Sequence, residues 1–221
     1  MRFLYHELAG VNSIEITDER YRHIFRARRQ KVGDMLYVRN LKDDMLYSYE
    51  VKEVKKRDAL LLLKEQERKE AKPKRYLHLG WCVVDTKTIE KSLPFLNELG
   101  VGKISFIYCD RSQMSFKPNL DKLKKIAINS CEQCGRSTLI EFETVKELKQ
   151  FFVNYPKSAV LDFGGKNLSC KDEIESIVIG CEGGFSKSER EMFKDIYKVD
   201  SDMVLRSETA AIFVSSVILG A

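Results

Sequence analysis

The run Ile177 to Gly180 is apolar without interruption and ends directly on Cys181-Glu182-Gly183-Gly184. A strand that lacks polar alternation has to be covered on both faces, which is the condition of a parallel sheet flanked by helices. Glycines placed just after such a strand permit a tight turn and a close backbone approach at its carboxyl end, where open α/β sheets bind ligands. Two more junctions have the same form, LDFGG at 161–165 and VLRSETAA at 204–211. Three loops of this kind can converge on one pocket at a sheet edge. The plain alternative is a set of ordinary strand-to-helix turns, with Ser186 as a helix N-cap after the first.

The chain around these junctions alternates strand-like and helix-like segments from residue 75 onward. YLHLGWCVV, KISFIYC, AVLDF, SIVIG and MVLR read as strands, while TKTIEKSLPFLNEL, NLDKLKKIAINSCEQC, SKSEREMFKDI and ETAAIFVSSVILGA read as helices. The expected fold class is therefore α/β with a mainly parallel sheet. Asp85 is placed to cap the first of these helices, and Pro94 predicts a kink or a late start within it. His78 lies in an apolar strand, where packing explains it better than chemistry.

The N-terminal third follows a different period. RFLY, SIEI, DMLYVRN, MLYSYEVKEV and ALLLLKE are short β-like runs, with Lys42-Asp43-Asp44 as a turn, and they predict a small β-barrel. One helical insertion is expected over DERYRHIFRARRQ, where Asp18 can cap the first turn and Arg22, Arg26, Arg28 and Arg29 crowd into two turns. The stretch EQERKEAKPKR, 65–75, reads as an exposed linker, giving domains at 1–70 and 71–221. Residues 1–75 hold 19 Lys and Arg against 13 Asp and Glu, whereas the remainder is close to neutral. A basic module on a neutral body suits a polyanion partner, the alternative being a merely solvated surface.

Several function classes fail on spacing. Gly165-Lys166 is not a P-loop, because Val160 and Asn167 stand where a glycine and a Ser or Thr are needed. No strand leads into a G-x-G-x-x-G turn, and Asp162-Phe163-Gly164 lacks the other kinase motifs. Cys131 and Cys134 form a CxxC within a helix-like segment without a second pair, so no metal site is expected. Six scattered cysteines, no apolar run long enough to span a bilayer and no signal-peptide pattern at MRFLYHELAG point to a cytoplasmic protein.

Taken together, AINSCEQCGR, IGCEGGFSKSE and, about twenty residues later, LRSETA resemble the RsmE family of 16S ribosomal RNA uracil-N3 methyltransferases. The resemblance covers nearly the whole chain, including KTIEKSLPFLNELGV and the Arg111 loop. Singly these motifs are weak; as a set they are specific. The chain departs from the family pattern at Cys181, usually Pro, at Ser201-Asp202-Met203, usually Gly-Pro-Arg, at Cys134, usually Ser, and at Pro94.

The resemblance implies a SPOUT-type α/β knot, with a deep C-terminal trefoil knot, behind an N-terminal PUA-like β-barrel. It implies S-adenosyl-L-methionine as cofactor, with S-adenosyl-L-homocysteine as product, and a uridine of 16S rRNA within the small ribosomal subunit as substrate. The knot loops would supply cofactor contacts from Leu161 and Gly164, from Ile179, Gly180, Cys181, Glu182 and Gly183, and from Val204, Leu205, Ser207 and Thr209. Arg136 would stabilise the anionic uracil ring, Glu132 would orient it or act as base, and Arg206 would position cofactor or RNA. A structural Glu132–Arg136 pair one helical turn apart remains the alternative. Arg2, Arg22, His23, Arg26, Arg28, Arg29 and Arg111 would hold RNA, and the family pattern implies a homodimer with shared active sites. Two other readings keep the same features: a catalytically weak RNA-binding ribosome-assembly factor, and a SPOUT methyltransferase acting on another RNA.

Overall fold

The computed structural model describes residues 2–220, which divide into two compact units. The first contains the segment ending at Lys72 together with Cys131–Thr138; the second contains Pro73–Ser130 and the chain from Leu139 onward.

In the first unit, β1 (Leu4–Tyr5), β2 (Ser13–Ile16), β3 (Met35–Arg39), β4 (Met45–Val54) and β5 (Ala59–Arg68) form one five-stranded sheet in the order β1-β3-β4-β5-β2. Alternation decides its faces: Ile14, Ile16, Leu36, Val38, Tyr49, Val51 and Leu61 turn inward and bury completely or nearly so. The β3–β4 turn is built by Asn40, whose Oδ1 accepts from the amides of Lys42 and Asp43, and by Asp43, which accepts from the Tyr47 hydroxyl.

The helical insertion differs in kind from its expectation. Only α1 (Asp18–Tyr21) is α-helical, and Arg22–Ala27 continues as a π-helix. Thr17, not Asp18, occupies the N-cap position; Asp18 has φ 54° and its carboxylate accepts from the Thr17 hydroxyl. The wider turn carries Tyr21, Ile24 and Phe25 onto the sheet, and Tyr21 donates to the carbonyl of Lys55 at 2.5 Å. Residues 65–68, read as linker, belong to β5, where pairing of Met45 with Arg68 extends the β4–β5 ribbon. Their charged side chains are exposed, so composition hid a strand whose backbone is paired.

In the second unit, β6 (His78–Cys82), β7 (Lys103–Ile107), β8 (Glu141–Val145), β9 (Ala159–Asn167), β10 (Ser176–Ile179) and β11 (Ile196–Lys198) form a wholly parallel sheet in the order β11-β9-β10-β6-β7-β8. The helices are α2 (Thr86–Leu99), α3 (Leu120–Cys134, whose last residues belong to the first unit), α4 (Leu148–Asn154), α5 (Lys187–Arg190) and α6 (Ser207–Leu219). Every residue of β6 is buried, as a central strand covered on both faces requires. Asp85 caps α2 through the Thr88 amide at 3.1 Å, and the helix runs from Thr86 through Pro94 to Leu99 without a late start.

Three local expectations are corrected. LDFGG is not a strand end, because β9 continues to Asn167; a Cβ on Gly165 would fall 2.4 Å from the Ile196 carbonyl oxygen, so only glycine lets β11 lie this close. The helix expected over 186–196 stops at Arg190; 191–195 form turns, and only its last residue, Ile196, enters β11. Val160 draws the chain in by donating its amide to the Asp195 carbonyl at 2.9 Å. MVLR forms no strand; the chain leaves β11 at the sheet edge and returns toward the centre, where α6 begins. That return is fixed by Ser207, whose hydroxyl accepts from Trp81 Nε1 of β6 at 2.8 Å and donates to the Gly180 carbonyl after β10 at 2.6 Å.

Candidate active site

A cavity of about 740 Å³ opens in the second unit beyond the carboxyl end of β10 and beside the middle of β9. Three stretches line it: Leu161–Gly164 within β9, Ile179–Phe185 after β10, and Lys198–Ser207 between β11 and α6. The sequence-derived positions Leu161, Gly164, Ile179, Gly180, Cys181, Glu182, Gly183, Val204, Leu205 and Ser207 all lie on its wall. Thr209 does not; it is exposed on the first turn of α6, and Ala210 takes the place in the lining.

The glycine turn is a tight one, closed by the Gly184 amide donating to the Cys181 carbonyl at 2.9 Å, with Gly184 at φ 65°. Its exit is fixed by a capping box, Ser186 accepting from the Glu189 amide while Glu189 accepts from the Ser186 amide. The loop after β7 grips the same turn. Asp110 donates its amide to Glu189 Oε1 at 2.9 Å and accepts from the Ser186 hydroxyl, while Arg111 donates to the Gly183 carbonyl at 2.6 Å. Arg111, expected to hold RNA phosphate, thus lines the cavity and braces its turn.

Apolar side chains and charges are both present on the wall. Leu161, Ile179, Leu205 and Ala210 offer flat apolar contact beside a backbone-rich turn, which suits an adenine whose edge is read by peptide groups. Arg111, Arg190, Lys198 and Arg206 face Asp162, Glu182, Asp200 and Asp202 around the rest. Arg190 clamps Asp162 with two hydrogen bonds, 2.6 and 3.2 Å, across the mouth of β9. A zwitterionic amino-acid group and a sulfonium need this mixture of both signs, so the residues present fit S-adenosylmethionine. Sequence reasoning missed Asp162, Arg190 and the acidic pair Asp200 and Asp202. The signal for the acidic pair was its position ahead of LRSETA, masked there by the departure from the usual Gly-Pro-Arg.

Beside the cavity, Cys109 and Cys181 bring their sulfurs to 3.5 Å. Hydrogen bonding with Cys181, Cys82 and Ser112 pulls the Cys109 thiol well below the usual range, while the contact with Cys109 and burial push Cys181 up.

Glu132 and Arg136 are not among the residues that line the cavity; both are held in the first unit. Glu132 Oε1 accepts from the Tyr5 amide at 2.7 Å, and its main-chain carbonyl accepts from Arg2. Burial pushes the Glu132 carboxyl up, against the pull of the amide and of Arg20, His23 and Arg28. Arg136 is buried, donates from Nε to Thr138 Oγ1 at 3.3 Å, and is pulled down by desolvation. Arg2, Arg22, His23, Arg26, Arg28 and Arg29 are exposed. Arg22 and Arg26 line a second, smaller cavity of about 440 Å³ with Lys56 and Arg57 of the β4–β5 turn, which sequence reasoning had not singled out.

A family model described as an RNA methyltransferase domain matches residues 70–219, and one described as an RNA methyltransferase PUA domain matches 16–64. The chain is 46% and 47% identical to the ribosomal RNA small subunit methyltransferase E proteins of two strains of Helicobacter pylori, over 98% of its length and 99% of theirs. Among solved structures, a methyltransferase from Legionella pneumophila with bound cofactor SAM superposes with a TM-score of 0.82 at 25% identity, covering 98% of this chain and 96% of that one.

Proposed function

The chain belongs to the ribosomal RNA small subunit methyltransferase E family, and from that premise we propose that it methylates N3 of a uridine in 16S rRNA with S-adenosylmethionine as donor. It has the α/β fold of the SPOUT class behind a PUA-like unit, and the trefoil knot is the reading that the return of the chain from the edge strand β11 to α6 supports. The observation that carries the function is the convergence of the 161–164, 179–185 and 198–207 stretches on one cavity of mixed charge.

When bound, the cofactor supplies an electrophilic methyl group on a sulfonium. The chain's residues have to bind it, align the uracil with the methyl and manage the N3 proton. Gly180–Gly184 and Leu205–Ser207 would hold the adenosyl part, with the acidic and basic wall residues holding the amino-acid end. Arg206, on the cavity wall, would position cofactor or RNA. Arg136 would face the target ring and Glu132 would orient it or act as base, a role that its raised carboxyl suits. The exposed arginines of the first unit would hold phosphates while the base is unstacked.

We place the protein in the cytoplasm with the small ribosomal subunit, as a homodimer. Among the described residues no helix is long and apolar enough to cross a membrane. α6 is mostly apolar and leaves Phe213 exposed between Thr209 and Ser216, which favours a second copy as its cover.

Two measurements test the assignment. Calorimetry with S-adenosylmethionine should show one saturable site per chain, and absence of heat from the folded protein removes the cofactor reading. Mass spectrometry of 16S rRNA should show N3-methyluridine with this protein and not after its deletion; persistence of the mark refutes the substrate.

A further inference from the structure

Cys109 and Cys181 lie in the loops that follow different strands, β7 and β10, yet their sulfurs meet at 3.5 Å at the glycine turn. Both side chains are almost inaccessible from the outer surface, at 4% and 7% exposure, but Cys181 also lines the cavity. A small oxidant entering the cavity therefore reaches one sulfur of the pair. The backbones that carry the two residues are already fastened by the Arg111–Gly183, Asp110–Glu189 and Ser186–Asp110 contacts. Bonding requires the sulfurs to close to about 2.05 Å, a shift of the size that side-chain rotation supplies without parting the loops. Cytosolic disulfides of this kind are transient and redox-sensing rather than structural.

We propose that Cys109 and Cys181 are a redox-active pair that closes to a disulfide when a peroxide enters the cavity, fixing the glycine turn and slowing methyl transfer. The regulatory half rests on the reading of the cavity as the cofactor site; the disulfide itself does not. Cys109, favoured as thiolate, takes the Cys181 proton across the 3.5 Å contact, and the Cys181 sulfur then attacks a peroxide oxygen: the S–O bond forms, the O–O bond breaks, and the departing hydroxide leaves as water with the proton returned from Cys109. Cys109 sulfur, favoured as thiolate by its hydrogen bonds, then attacks the sulfenic sulfur of Cys181. The S–S bond forms, the S–O bond breaks, and the second hydroxide takes up the proton that Cys109 gave up on ionising. Two thiols are oxidised, one peroxide is reduced, and two waters leave. A turn stapled at Cys181 can no longer shift to admit or release a ligand, so the cost falls on turnover.

The test treats the full-length protein with hydrogen peroxide, digests it without reduction and maps disulfides by mass spectrometry, with exposed Cys170 as an internal gauge of oxidation. A peptide joining Cys109 to Cys181 is expected, together with a several-fold loss of methyl transfer that a thiol reductant reverses. Cys109→Ser, and Cys109→Ala should the first fold poorly, should keep their turnover through the same treatment. The proposal is overturned if Cys170 oxidises while no such peptide forms, or if Cys82 is joined to Cys109 in its place. It is overturned as regulation if the peptide forms and turnover does not change. Failure of the reduced protein to bind S-adenosylmethionine would instead remove the cofactor reading and leave the peptide result standing.

Discussion

Ser207 carries more of the site than its size suggests, since one hydroxyl satisfies the buried indole N–H of Trp81 and the carbonyl of Gly180. Replacing it with alanine leaves both groups without that partner in a place water does not readily reach. Ser207→Ala should therefore lower unfolding stability by about 1–3 kcal/mol and weaken cofactor binding, read by urea denaturation and by calorimetry. A serine-to-alanine change at Ser115, exposed and off the cavity wall, should do neither. The residue scale is also where sequence reading was most uneven. Residues adjacent in the quoted motifs, Ile179 to Gly183 and Val204 to Ser207, were legible because a strand or helix end fixes its neighbours. Asp162 and Arg190 were not, because an ion pair between positions 28 residues apart has no local signature. Glu132 shows the opposite limit: its motif was visible, but its bond to the Tyr5 amide spans 127 residues and could not be read from spacing.

At the scale of elements, the short helix α5 depends on its cap. A four-residue helix has little intrinsic stability, so the Ser186–Glu189 capping box and its tie to Asp110 decide whether the turn before it is held. Ser186→Ala should cost about 1 kcal/mol and show as faster amide exchange at Gly184 and Glu189 before any global unfolding. A second prediction concerns the sheet's other end, where buried His78 and Ser105 join half-buried Glu143, Tyr155 and Lys103 in one network. Ser105 donates to Glu143, so His78 Nε2 carries a proton and donates to Ser105 at 2.6 Å. Burial, helped by Lys103, lowers His78 to about 4. The unfolded chain then binds a proton near the ordinary histidine value that the folded chain refuses. This stability is fully present above about pH 6.5 and is lost as pH falls toward 4. The melting temperature should fall over that window, and His78→Gln, though less stable at pH 8, should show a shallower fall. Parallel strands such as β10 were legible from their apolar runs, whereas β11 was not, because IYK is three residues at a sheet edge and its place is set by the bulged pairing with β9.

For the whole molecule, the proposed function puts cofactor binding and RNA grip in sequence regions of different charge. The basic excess of residues 1–75 is spent on exposed arginines around the π-helix, while the cavity of the second unit balances both signs. This separation makes the two kinds of binding independently mutable. Phosphate contacts act through released counterions, so each one lost lowers the slope of log K against log salt by about one unit. Arg22→Ala combined with Arg26→Ala should therefore weaken binding to a 16S rRNA fragment and flatten its salt dependence by roughly two units, with S-adenosylmethionine affinity unchanged. Arg206→Ala should show the reverse, a loss of turnover with the salt slope retained. Filter binding across a salt series, paired with single-turnover methyl transfer, separates the two. An unchanged slope in the double variant would mean that the arginine cluster faces solvent and that another basic surface of the chain holds the RNA.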